Sequence, residues 1–341
     1  MNNINLKPKK LELPKNEPIK PGIGQATPTV DAEFTKKVPP RFDLKAQKKN
    51  ALDQVISHQR SQIAGLIKGI EKERDSSVII YFSRNLLNSN EVTNFYQLFS
   101  GNKKFKNLDL ILHSNGGISD DAFKMCRLCR QHTENKFGVL VPYRAKSAAT
   151  LVALGADELV MGPASEIGPV DPMIYVRMQD GNKYLVPAHS IKDGLDFFEG
   201  RIKTEPKTAL LYSQLLENLD LAVVGAYQRA IESSKQYAET LLTNGLLKGK
   251  TKEKIEEVAK ALSERYKSHG FVIDREIARQ EYELNVIDAS DSIWDSIWQL
   301  YNTLDVWLED DPQIGSVVRT SNSEVIISYT PIEGPKDKGE K

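Results

Sequence analysis

The chain has 341 residues, and its 46 Lys and Arg are balanced by 46 Asp and Glu. That length suits one core of about 150 to 250 residues with flanking pieces, and the charge balance argues against nucleic acid or an anionic membrane as principal partner. No window reaches the ~18 apolar residues of a membrane span and no apolar signal-peptide core opens the chain, so a cytoplasmic location is expected.

Residues 1–45 are rich in Lys and Pro and poor in aromatics (LKPKKLELPKNEPIKPG). Such a segment buries too little surface to offset its ordering entropy, and it reads as a disordered tail, either simply solvated or a docking arm. Residues 46–74 carry Ala51, Val55, Ile63, Leu66 and Ile70 at helical spacing. SSVIIYFSR (76–84) is a buried strand in composition, and NSNEVTNFYQLFSG a helix with Asn88 or Ser89 as N-cap. The pattern continues with LDLILHS as strand, SDDAFKMCRLCRQH as helix, FGVLVPY as strand, AKSAATLVALGA as helix and ELVMGP as strand. Continuous apolar strands alternating with amphipathic helices require crossovers, which makes the sheet mainly parallel and helix-covered. Residues 207–247 and 251–267 then read as long helices, a lone strand is expected at 323–330, and Lys336–Lys341 as tail. The expected organisation is therefore a tail (1–45), an α/β core (46–200), a helical extension (201–310), and a C-terminal strand with tail (311–341).

Cys126 and Cys129 form a CxxC on one helix, with only His132 close by, short of the four ligands of a structural zinc. They read as core thiols in a reducing compartment. Trp294, Trp298 and Trp307 fit the buried face of a C-terminal helix, and Asp157 and Glu158 a polar helix-to-strand junction. No P-loop, GxGxxG or HExxH occurs, so no metal, nucleotide or other cofactor is expected.

Two features carry chemistry. Gly116 and Gly117 end one strand, and bare backbone there frees amides to face an anion; a tight turn needing positive φ is the plainer account. Ser147 precedes Ala148, Ala149 and Thr150 at a helix start, where small neighbours admit a substrate and the helix N-terminus favours negative charge; a simple N-cap is the plainer account. Together they put a serine and an oxyanion hole, with the Ala148 amide as further donor, at one sheet edge.

HSNGG, then AKSAATLVALGADELVMGPASEIGPVDP, then SHG at 268–270 resemble the serine dehydrogenase proteinase family, a branch of the Clp-fold serine peptidases with signal peptide peptidase A and ClpP. The match is strongest over residues 76–176 and weaker to about 305. It implies a ClpP/crotonase-like spiral of mainly parallel strands with covering helices, and ATP-independent peptide hydrolysis. Ser147 becomes the nucleophile, and Gly116, Gly117 and Ala148 the oxyanion donors. Many relatives have Pro where this chain has Asn115, a change that leaves both glycines in place.

In ClpP-like peptidases a histidine follows the serine by some two dozen residues; here Asp171 falls in that slot. A carboxylate is a poor base near neutrality. Three residues are candidates for the base: His269 of the SHG motif, whose residue type titrates in a suitable range, and Lys192 and Lys203, lying roughly where signal peptide peptidase A carries its lysine. Lys146, adjacent to Ser147, is set aside because neighbouring side chains at a helix start diverge, and His113 reads as a packed histidine. The expected partners are an extended peptide or unfolded protein, bound beside a strand edge, and further copies of the chain in a homo-oligomer. Two other readings stand beside the peptidase: a catalytically silent Clp-fold scaffold that binds peptide in the same groove, and acyl-CoA chemistry of the crotonase kind, against which Ser147 counts.

Overall fold

The computed structural model describes residues 44–102, 104–177, 181–217 and 221–330. The expectations for the first 43 residues and for Lys336–Lys341 lie outside them. The chain divides into two units, residues 1–51 and 52–341. Of the first only 44–51 are described, as the opening turns of a helix, and the fold that follows is that of the second.

The helix α1 (Leu44–Arg74) leads into β1 (Ser77–Ser83). Next comes α2 (Ser89–Tyr96), capped by the Asn88 side chain, which accepts from the N–H groups of Asn90 and Glu91. Then follow β2 (Phe105–Ser114), α3 (Ser119–Gln131), β3 (Thr133–Val141), the short β4 (Arg144–Ala145), α4 (Ala148–Leu154) and β5 (Glu158–Met161). The short β6 (Glu166–Ile167) precedes a hairpin of β7 (Met173–Arg177) and β8 (Lys183–Pro187). The helical stretch comprises α5 (Ala188–Thr204), α6 (Ala209–Leu216), α7 (Leu221–Asn244) and α8 (Lys252–Lys260), the last widening into a π-turn, Ala261–Arg265. The chain ends its described part with α9 (Arg275–Gln280), β9 (Val286–Asp288), α10 (Asp291–Asp310), β10 (Ile314–Arg319) and β11 (Glu324–Ser328).

The sheet runs β11-β10-β1-β2-β3-β5-β9. β1, β2, β3, β5 and β9 are parallel, and β10 and β11 antiparallel to their neighbours. The expected lone C-terminal strand is thus one arm of a two-stranded addition to the main sheet. A parallel sheet must be covered on both faces, and the strand period of two feeds both covers. Val78, Ile80 and Phe82 of β1 pack with Ile63, Ile67 and Ile70 of α1 and Leu300, Leu304 and Leu308 of α10. Ile79 and Tyr81, pointing the other way, join α2, α3 and α4. Leu241, Leu242, Ile255 and Val258 of α7 and α8 enter that same second core. No helix among the described residues is long and apolar enough to cross a membrane.

One buried ion pair ties the layers together. Asp109, fully buried on β2, accepts from Arg74 Nε at 2.6 Å and Nη2 at 3.0 Å. Arg74 also pairs with Glu158 at the start of β5. Room for the carboxylate comes from Gly138, where an added Cβ would lie 2.2 Å from Asp109 Oδ1. Removing the cation leaves a buried carboxylate uncompensated. Arg74→Met is expected to cost about 3–5 kcal/mol in urea unfolding. The exposed pair Lys106–Asp75 serves as the contrast, and Lys106→Ala is expected to change stability by under about 0.5 kcal/mol.

Candidate active site

β2 and β4 pair at their C-terminal ends through Ser114 and Ala145, so the residues after each strand emerge side by side. After β2 come Asn115, Gly116 and Gly117. After β4 come Lys146 and Ser147, then α4. The two turns touch backbone to backbone: a Cβ on Gly116, whose φ is +98°, would lie 2.5 Å from the Lys146 carbonyl and 2.7 Å from Ser147 Cβ. On the other side, Leu87 N–H donates to Gly116 O at 2.8 Å and Leu87 O accepts from Ile118 N–H at 2.8 Å. A Cβ on Gly117 would meet the Leu87 carbonyl oxygen at 2.2 Å. Only glycine fits either position.

Ser147 is held at φ +51° and ψ −122°, a conformation that costs a non-glycine residue about 1–3 kcal/mol. It occupies the N-cap position of α4, yet its side chain makes no capping hydrogen bond. A capping serine adopts extended φ/ψ and accepts from the helix's first amides, so simple capping does not account for it. The turn is locked from below by Thr150, whose hydroxyl donates to Ala145 O at 2.7 Å and accepts from Gly168 N–H at 3.1 Å.

The three amides named from sequence are not equivalent. Gly116 N–H donates to Ser114 Oγ at 3.0 Å, whereas the N–H groups of Gly117 and Ala148 have no partner among the described residues. Gly116 serves by its bareness.

Asp171 is buried and bonds His269 Nδ1 at 2.8 Å. A carboxylate can only accept, so Nδ1 carries the hydrogen, and in the neutral ring Nε2 presents a lone pair. The backbone next to Asp171 is fixed from two helices: Val170 N–H donates to Leu262 O of the π-turn at 3.0 Å, and the Ser234 hydroxyl of α7 donates to Val170 O. His269 and Ser147 line one cavity of about 660 Å³ with Gly117. Leu86, Ile118, Met173, Tyr175 and Tyr237 give it apolar walls, and Asp120 and Arg229 add charge. Such a lining, apolar with a few convergent polar groups, is that of a binding site.

The lysine candidates lie elsewhere. Lys192 and Lys203 sit on α5, paired with Asp196 at 2.7 Å and Glu199 at 2.5 Å, and line no part of this cavity. Hydrogen bonding to those acids raises both pKa values, the opposite of what a base requires. The sequence reading passed over the cavity walls supplied by β7 and α7. The signal available was the pair of β-rich runs MIYVR and KYLVP separated by five residues that include Asp180-Gly181, a hairpin pattern.

Cys126 and Cys129 are buried and unpaired, and burial pushes the Cys126 thiol up to about 12. Among the described residues no cluster of His, Cys, Asp or Glu is suited to a metal ion.

Residues 41–304, most of the chain, match the family of ClpP-like SDH-type serine proteinases. The chain belongs to that family. Two uncharacterized proteins of Methanocaldococcus jannaschii, MJ0137 and MJ1495, are 29% and 26% identical to this chain over 177 and 189 residues. Those matches take in 52% of this chain each, and the chain spans about half the length of the curated relatives it matches, 52% and 55%. Among solved structures, a mutant of the 1510-N membrane-bound stomatin-specific protease is 15% identical, with TM-score 0.38, over 63% of this chain and 78% of its own. A second mutant of that protease, in complex with a substrate peptide, gives 15% and 0.37 over 74% and 86%. The ClpP protease catalytic domain from Plasmodium falciparum gives 11% and 0.31 over 63% and 86%.

His113, on the site-bearing strand β2, is a packed residue, stacked on Phe82 at 4.3 Å with Nδ1 unpartnered. Burial, helped by Arg144, pushes its pKa down from 6.5 to about 3. Between those values the unfolded chain binds a proton that the folded chain refuses, so stability falls as pH drops below about 6.5. His113→Leu is expected to flatten the slope of unfolding free energy against pH between about 4 and 6 by up to ~1.4 kcal/mol per unit, measured by urea unfolding.

Proposed function

We propose that this chain is an ATP-independent serine peptidase in which Ser147 is the nucleophile, His269 the general base, Asp171 the residue that orients the base, and the Gly117 and Ala148 amides the oxyanion donors. The observation that carries this reading is the strained, uncapped Ser147 sharing a cavity with a histidine whose Nδ1 is committed to a buried aspartate. In the proposed reaction Ser147 Oγ attacks the scissile carbonyl carbon and its proton passes to His269 Nε2. The carbonyl oxygen becomes an oxyanion facing the two free amides. Collapse breaks the C–N bond, and the imidazolium returns the proton to the leaving amine. Water, deprotonated by the same nitrogen, then hydrolyses the acyl-enzyme. No step consumes a nucleotide.

The substrate is an extended peptide or unfolded segment. β7 begins two residues after Asp171, pairs only with β8 among the described strands, and turns Met173 and Tyr175 toward the cavity at the strand period of two. That arrangement supports strand addition along β7. We further read the protein as a cytoplasmic homo-oligomer. Leu210 and Leu211 of α6 are 74% and 58% exposed and Phe197 of α5 is 59% exposed, an apolar surface that a second copy would cover.

Ser147→Ala is expected to abolish both labelling by a fluorophosphonate probe and hydrolysis of fluorescein-labelled casein, with the unfolding transition unchanged. His269→Gln is expected to lower turnover by about 100-fold or more. A Ser147→Ala chain that still hydrolysed casein would sink the serine mechanism. A wild-type chain that binds peptide yet takes up no probe would mark a silent scaffold instead.

A further inference from the structure

Three motif residues take no part in this assignment: Lys146 of AKSAAT, and Glu166 and Gly168 of SEIGP. The structure brings them together beside the site. The Lys146 side chain, largely buried, places Nζ 3.0 Å from Glu166 Oε2, 3.4 Å from Ile167 O and 3.1 Å from Phe271 O. Its stem passes over Gly168, where a Cβ would lie 2.7 Å from Lys146 Cδ. Glu166 and Gly168 thus form a seat for the lysine, one by charge and one by having no side chain.

The lysine's third contact is the informative one, because Phe271 lies two residues after His269. Segment 268–273 is otherwise joined to the sheet through Ile167 and Ile273, whose backbones exchange hydrogen bonds at 2.9 and 3.0 Å, and Tyr266 stacks on Phe271 at 4.1 Å. Lys146 reaches the loop nearer the histidine than the Ile273 pair does, from the residue next to Ser147. Its own backbone N–H donates to Ser114 O at 3.0 Å, and its carbonyl packs on Gly116. One residue therefore touches the glycine turn, the serine turn and the histidine loop.

Resting on the peptidase reading above, we propose that Lys146 is a positioning residue that fixes the His269 loop in register with Ser147, seated by Glu166 and Gly168. A base role fits less well. Nζ is engaged by Glu166 Oε2 and the carbonyls of Ile167 and Phe271, and Lys146 is not among the residues lining the cavity shared by Ser147 and His269.

The test uses the full chain. Lys146→Met paired with Glu166→Gln removes both charges together, so no carboxylate is left buried alone. Gly168→Ala keeps every charge and crowds only the flexible lysine stem, and it carries the test should the paired variant unfold. In each, kcat on fluorescein-labelled casein is expected to fall about 10- to 100-fold, the scale of losses from misplaced catalytic groups. KM should change less than about twofold, and fluorophosphonate labelling should slow in parallel. Adding His269→Gln to either variant should cost nothing beyond what His269→Gln costs alone, since the tether acts only through the histidine. Wild-type kcat in both variants overturns the proposal, as does a loss that multiplies in full with that of His269→Gln. Loss of activity in the lysine variant with full activity in His269→Gln makes Lys146 the base and overturns it too. If Ser147→Ala keeps turnover, or the wild-type chain takes up no probe, the peptidase reading fails first and takes this one with it.

Discussion

At Gly116 two backbone turns lie in van der Waals contact, and the rest of the site depends on there being no atom between them. The parallel pairing of β2 with β4 brings the turns to one edge, and the missing Cβ lets them close. Leu87 clamps the far side of the glycines, so the serine turn is braced by a third segment. This explains how Ser147 can hold a positive φ. Strain of about 1–3 kcal/mol survives only where the surroundings over-determine it. All seven residues of α4 are buried, and burying even two or three such side chains offsets that cost.

The acid and the proposed base reach this turn through the helical part of the chain. A π-turn is wider than an α-turn and leaves carbonyls for partners outside the helix. Here Leu262 O receives Val170 N–H, next to Asp171, and Ser263 O bonds His189 Nε2 at 2.6 Å. Ser234 of α7 holds the Val170 carbonyl from the other side. Since α7 and α8 also fill the core shared with α3 and α4, this region is integral to the fold. The site is assembled only when the helices are docked.

The sequence made the strands β1, β2, β3 and β5 legible because they are buried on both faces, which writes them as unbroken apolar runs. β9 is three residues long, and β10 mixes Gly, Ser and Arg into IGSVVR, so neither carries a period long enough to read. Ser147, Asp171 and His269 were named from motif and slot, and the structure brings all three to one place. The oxyanion donors were only partly legible: counting amides cannot show that Ser114 Oγ occupies that of Gly116. The lysines illustrate a signal that was present and outweighed. Lys192 with Asp196, and Glu199 with Lys203, are spaced as exposed helix pairs, and that spacing alone argues for a solvated face. Lys146 was set aside because adjacent side chains diverge, and they do. Its importance comes from where the divergent chain goes.

The charges around Ser147 are arranged for the event that matters in the proposed mechanism, formation of an imidazolium beside a developing oxyanion. A bare ammonium on the neighbouring residue would oppose the imidazolium, and in a partly desolvated site that repulsion would be large. Glu166 at 3.0 Å cancels it, leaving Lys146 free to hold carbonyls without setting the local potential. Asp171 is buried against the histidine while His269 keeps one side toward the cavity. The Asp171 charge is thus held on the side of the ring away from the cavity. In the proposed reaction it would stabilise the positive charge as it forms, with the oxyanion facing the neutral amides of Gly117 and Ala148. Neutral donors fixed in place stabilise charge at the moment of reaction without reorganising. On this account the lysine's pairing and the aspartate's burial are two halves of one electrostatic arrangement, set by the segment from Lys146 to Asp171.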